Sequence, residues 1–120
     1  ATDECDASLG FKEAYVAARK QDIGIIRSPV GLPGRAIMNT FLEEIASGIK
    51  KPFSCPFHCI RTCENKTSPY CITLALISAK PGQFRNGFAF ARANAYRVDR
   101  ILSVRELIET LRQEYEFSCS

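Results

Sequence analysis

Nowhere in this sequence do about 20 consecutive apolar residues occur, the length that a membrane-crossing helix requires. The N-terminus has no basic start followed by an apolar run, the mark of a secretory leader. Excess charge of one sign is missing too. The 16 lysines and arginines stand against 13 acidic residues for a net charge of +3, far from the dense basic footprint that a phosphate backbone demands. Neither a membrane nor nucleic acid is therefore an expected partner, and the chain reads as soluble and cytoplasmic. Histidine is nearly absent: His58 is the only one, and it sits in a cysteine-bearing stretch. No internal repeat or low-complexity segment is visible. The first residue is Ala1 and not methionine, so a trimmed chain or a segment of a longer one is expected.

What is present suffices for one modest core. A length of 120 residues with 46% hydrophobic content bounds the chain to a single domain. There are six cysteines, an even count that could form three disulfides in a secreted protein, and Asn65-Lys66-Thr67 fits a glycosylation acceptor. Reduced thiols are the ordinary state in a cytosolic chain. Four of the six form a C-x3-C-x3-C-x7-C run, Cys55, Cys59, Cys63 and Cys71, and thiolates are preferred ligands of zinc and of iron-sulfur clusters. The spacing matches neither a paired C-x2-C zinc knuckle nor the ferredoxin run. Metal binding, a disulfide and buried free thiols all stay open, and Cys71, on a hydrophobic segment, is the one best suited to packing.

The pattern along the chain predicts mostly helix with one or two short strands. Asp6 or Ser8 can cap a helix over 8–20, with Phe11, Ala14, Tyr15 and Ala18 on one face. Asp22 to Ser28 is rich in β-branched residues and predicts a strand, followed by a rigid loop at Pro29, Gly31, Pro33 and Gly34. From Arg35 the stripe Ile37, Phe41 and Ile45 predicts a second helix ending at Gly48. Ser68-Pro69 reads as the start of a third helix, Tyr70 to Lys80, apolar nearly all round and so expected to be buried on several sides. Gly87 to Ala91 reads as a brief extended piece and Arg92 to Tyr96 as loop. Ser103-Val104-Arg105-Glu106 is a capping box opening an amphipathic helix through Val104, Leu107, Ile108, Leu111 and Tyr115, with residues 116–120 fraying. A lone strand leaves its backbone groups unpaired, so its partners are expected upstream of Ala1.

Several runs carry a family resemblance: Ala1-Thr2-Asp3-Glu4-Cys5-Asp6-Ala7, then Arg27 to Asn39, then Tyr70-Cys71-Ile72 with Ala75-Leu76, then Asn94-Ala95-Tyr96-Arg97-Val98. Together they resemble the C-terminal third of the nitronate monooxygenase (2-nitropropane dioxygenase) family, and Gly31 to Asn39 is the most specific part. The resemblance implies an α/β parent, an FMN-bound (β/α)8 barrel of roughly 250 residues that oxidises alkyl nitronates with dioxygen. Residues 1–48 would then hold the last barrel helix with a connecting strand and helix, and 49–120 an appended cysteine-containing helical region, one partial domain overall. The family's phosphate cradle comes just before the equivalent of Ala1-Thr2 and its catalytic histidine lies further upstream, so His58 does not correspond to it. No residue of this chain is a candidate for catalysis.

Two residues are candidates for touching the flavin. Asn94, in the loop before the last helix, can donate and accept toward a ring heteroatom or satisfy its own loop backbone instead. Thr2 would be a remnant of the phosphate loop. Arg92 replaces a glycine frequent in relatives, which opposes close backbone approach there. Arg35 is expected to hydrogen-bond with Asn39 or, as the alternative, to contact substrate. The partner implied is the remainder of the barrel, together with a small nitronate or related substrate. A rival reading is a small zinc, iron-sulfur or disulfide-stabilised binding module, for which the clustered thiols speak. A third is an interaction domain whose apolar helix faces self-associate.

Overall fold

The computed structural model describes residues 1–55 and 57–120. The chain orders itself as α1 (Leu9–Ala17), β1 (Ile23–Arg27), β2 (Pro33–Ile37), α2 (Thr40–Ala46), α3 (Ile72–Ala79) and α4 (Val104–Ser118). Short 3-10 turns stand at Lys20–Asp22 and Ala95–Arg97.

Ser8 caps α1 by accepting from the Phe11 N–H at 3.3 Å, as the sequence pattern expects. β1 also forms where its β-branched residues predict it. Its partner lies within the chain, not upstream. Gly31, at φ +93°, closes a turn that only glycine adopts without strain, and β2 returns antiparallel with Ile23 opposite Ile37 and Arg27 opposite Pro33. Residues 87–91 extend this pairing. The Ile37 N–H donates to the Ala89 carbonyl at 3.0 Å, and the Ala91 N–H donates to the Arg35 carbonyl at 2.9 Å.

Arg35 to Met38 therefore are not helical, contrary to the sequence expectation. The apolar stripe Ile37, Phe41, Ile45 crosses an element boundary, and pairing to β1 outweighs a weak local helix preference. The second helix begins at Thr40. Asn39 caps it, accepting from the Leu42 N–H at 3.0 Å, while its amide donates to the carbonyls of Phe84 at 3.3 Å and Gly87 at 2.9 Å. Asn39 thus bonds to backbone and not to Arg35, which is exposed on β2.

α3 starts at Ile72, two residues later than the Ser68-Pro69 signal predicts, with Cys71 at its cap position. Tyr70 is withdrawn from the helix because its ring fills the core. That core comprises Ile26, Ala36, Phe41, Leu42, Tyr70, Ala75 and Phe88, and so joins β1, β2, α2, α3 and the 87–91 strip across residue 48. Phe41 and Phe88 each meet Tyr70 edge-on, with centroids 5.2 Å and 6.0 Å away. Gly87 is required because a Cβ there would run into the Ala75 carbonyl.

Burial of α3 on several sides is not met within the chain. Ala75 and Ala79 are buried, whereas Leu74, Leu76 and Ile77 are exposed. α4 goes further: its capping box forms, with Ser103 accepting from the Glu106 N–H at 3.2 Å, and it stays helical to Ser118 instead of fraying at 116, yet it has no buried residue. Val104, Leu107, Ile108, Leu111 and Tyr115 all face outward. The radius of gyration is 16.5 Å, where a compact chain of 100 residues measures about 13 Å.

Candidate functional site

The N-terminal strip and the loop before α4 meet. Thr2 and Leu102 form an isolated parallel bridge, the Asp3 N–H donates to the Leu102 carbonyl at 2.9 Å, and the Leu102 N–H donates to the Ala1 carbonyl at 3.4 Å. Glu4 reinforces the junction by accepting from the Val104 N–H at 2.9 Å, an anion at the positive end of a helix. Through these contacts the two residues singled out for flavin are brought to one end of the molecule.

Beside this junction opens a cleft of about 450 Å³ whose wall includes Ala1, Asn94, Arg97, Arg100, Leu111 and Glu114. Asn94 stands before the short 3-10 turn, at φ −98° and ψ 10°, with its side chain exposed and making no capping hydrogen bond. Its backbone carbonyl alone is engaged, accepting from the Arg97 N–H at 3.0 Å. The carboxamide is free to donate and to accept. Thr2 is half-buried and lines a smaller neighbouring cleft with Cys5, Phe11, Lys12 and Tyr15, so Ala1 is the residue the two clefts share. Arg92 is exposed, and its carbonyl accepts from the Ala95 N–H at 3.0 Å.

Two features of this end escape a sequence reading. Arg97 and Arg100 reach the same wall as Asn94 because the 3-10 turn folds the chain back, and Arg97 stands 3.9 Å from Glu114 of α4. No period of apolar residues announces a single 3-10 turn, so nothing local signals that convergence.

A second group of chemically active side chains lies elsewhere. Cys55, Cys59, Cys63 and Cys71 border one cleft of about 190 Å³, and His58 joins them. All six cysteines are free thiols, with Cys71 buried, Cys55 and Cys63 half-buried, and Cys5, Cys59 and Cys119 exposed. No disulfide is therefore formed by any of them. Among the described residues no three His, Cys, Asp or Glu side chains are grouped tightly enough to hold an ion as they stand.

Among the described residues, one buried side-chain polar atom has no partner. The Tyr70 hydroxyl is enclosed and makes no hydrogen bond, and burial pushes its pKa up from 10.0 to about 12. The Tyr15 hydroxyl, by contrast, donates to the Phe90 carbonyl at 2.6 Å, and burial raises its pKa as well.

No curated protein matches the chain in sequence. Among solved structures, FabK from Thermotoga maritima superposes with a TM-score of 0.73 at 19% identity, covering 98% of this chain and 34% of that one. FabK is a TIM barrel, so four helices and a two-stranded hairpin correspond to a piece of that architecture and not to a closed fold of their own. The model of the nitronate monooxygenase family matches residues 1–114, nearly the whole length. The chain belongs to the nitronate monooxygenase family.

Proposed function

We propose that this chain forms the C-terminal part of an FMN-dependent oxidoreductase that oxidises alkyl nitronates with dioxygen, its role being to wall and support a flavin site built mainly by the rest of the barrel. The observation that carries the reading is the junction of Ala1-Thr2 with the Asn94 loop, which adds to the family match over residues 1–114. On this reading residues 1–48 carry the last barrel helix with its hairpin, and 49–120 the appended region.

The residues present fit one wall of a flavin site. Asn94 offers an unengaged amide, able to bond a ring nitrogen or carbonyl oxygen, and Arg97 and Arg100 supply cationic donors suited to a phosphate. Thr2 holds its strip in register beside them. Flavin, when bound, takes electrons from the substrate and passes them to dioxygen. The chain's own contribution is to position and to exclude water. The exposed faces of α3 and α4 support the same reading, since apolar helix faces of this size are ordinarily covered. The remainder of the barrel is the partner that covers them, and the isolated 120-residue chain is expected to self-associate through those faces.

The test uses the full-length protein that contains this chain. It should purify with flavin absorbance near ~450 nm, and it should consume oxygen when given an alkyl nitronate. Asn94→Ala should lower flavin occupancy or raise KM while leaving the folded fraction unchanged. A colourless full-length protein that takes up no added FMN would sink the proposal, whereas a flavoprotein inert to nitronates would retain the cofactor and discard the substrate.

A further inference from the structure

We infer that the cleft between the segments 50–55 and 65–68 is a binding site for a small phosphate monoester, with Lys50 and Lys66 holding the phosphate and Phe53 flanking the organic group. The cleft measures about 410 Å³, within the range of small-ligand sites, and its wall includes Lys50, Phe53, Ser54, Asn65, Lys66 and Ser68. It shares no wall residue with the Asn94 cleft and so is independent of the flavin reading.

Charge sets this cleft apart. Lysines, serine hydroxyls and a carboxamide converge on it, and among the described residues its wall holds no carboxylate. Lys51, next to Lys50 in sequence, is taken up by an ion pair with Glu44 of α2. Lys50 and Lys66 form no ion pair among the described residues. Like charges gathered on one wall repel, and an anion seated between them reverses the sign of that interaction. An ammonium on a flexible stem suits a phosphate as a point charge, while hydroxyl and amide groups donate to its oxygens.

Backbone bonds bring these groups together. The Lys51 N–H donates to the Pro69 carbonyl at 2.7 Å and closes the base of the loop. On the opposite wall the Thr67 and Ser68 N–H groups both donate to the Glu64 carbonyl, at 3.0 Å and 2.9 Å, and the Thr67 hydroxyl donates to it at 3.3 Å. That turn is held by its backbone, so the Asn65 carboxamide and the Lys66 ammonium are exposed and at the disposal of a ligand. The Ser68 hydroxyl has the Cys63 sulfur at 3.9 Å as its neighbour, a weak partner that a phosphate oxygen replaces. Phe53 is half-buried with Pro52 beside it in the wall, an apolar surface of use to an ester's organic group and not to a bare phosphate.

The test titrates phenyl phosphate into the full-length protein as purified, followed by calorimetry, with inorganic phosphate in a parallel titration at equal ionic strength. Saturable binding of phenyl phosphate is expected, with a dissociation constant of about 0.1–1 mM. The Lys50→Ala/Lys66→Ala double variant should bind about tenfold more weakly or worse, having lost two charge-assisted contacts, with its flavin absorbance unchanged. Lys20→Ala, which removes an exposed lysine at the first 3-10 turn, should bind as the natural protein does. Inorganic phosphate should bind several-fold more weakly than phenyl phosphate, and Phe53→Ala should narrow that gap. No saturable binding below about 10 mM overturns the inference. Unchanged affinity in the double lysine variant overturns it as well, and so does inorganic phosphate binding as tightly as the ester. Should Phe53→Ala fail to fold, the ratio of the two affinities in the natural protein decides the role of the apolar wall by itself.

Discussion

Replacing Tyr70 by phenylalanine should stabilise the protein. The ring is 2% exposed and makes edge-on contacts with Phe41 and Phe88, all of which phenylalanine keeps. Only the oxygen is lost, and that oxygen is buried without a partner. An unsatisfied buried hydroxyl costs about 1–3 kcal/mol, against which the dispersion contacts of one atom are worth roughly 0.1–0.2 kcal/mol apiece. The balance is a gain of about 1 kcal/mol, visible as a higher urea midpoint followed by circular dichroism in the full-length protein.

The pH dependence gives an independent reading of the same atom. The folded pKa of about 12 lies above the ordinary 10.0, so the unfolded chain loses this proton first. The contribution is complete below pH 10 and disappears as pH rises toward 12. The advantage of Tyr70→Phe should therefore widen over that interval. A variant less stable than the natural protein at neutral pH, with no widening at alkaline pH, would refute the reasoning and mean that the hydroxyl finds a hydrogen-bond acceptor in the whole molecule.

Asn39→Ala removes a helix cap and leaves the Phe84 and Gly87 carbonyls short of a donor, so a loss of about 2–4 kcal/mol is expected by the same unfolding measurement. Asn39→Asp keeps the cap but sets a carboxylate against those carbonyls, and should recover little of the loss. Gly87→Ala forces a methyl into the Ala75 carbonyl and should cost about 3 kcal/mol or more, read as a marked fall in soluble yield and melting temperature. At the start of α4, the Ser103 N–H holds the Glu106 carboxyl below its ordinary 4.5. That contribution is present above pH 4.5 and fades as the carboxyl is protonated, so Glu106→Ala should lower helicity at neutral pH and make less difference in acid.

Local chemistry decided the helix starts at Ser8 and Ser103 and the strand at Ile23–Arg27, because caps and β-branched runs act within a few residues. The family, too, was legible, since glycine, proline and asparagine from Gly31 to Asn39 serve backbone demands that a related fold repeats. The role of Asn39 illustrates the division. Its presence is fixed in sequence, but its two carbonyl partners lie 45 and 48 residues away.

Tertiary structure alone decided the rest. β2 exists because β1 offers unpaired backbone groups, and its Arg35 to Ile37 reads locally as helix. Tyr70 leaves α3 because the core between Phe41 and Phe88 takes its ring. Asn94 comes to the Ala1-Thr2 strip through backbone pairing at Leu102, across about a hundred residues of chain. Four thiols spaced by no familiar rule face one cleft for the same reason: distance along a sequence constrains distance in space only within an element, and between elements packing sets it.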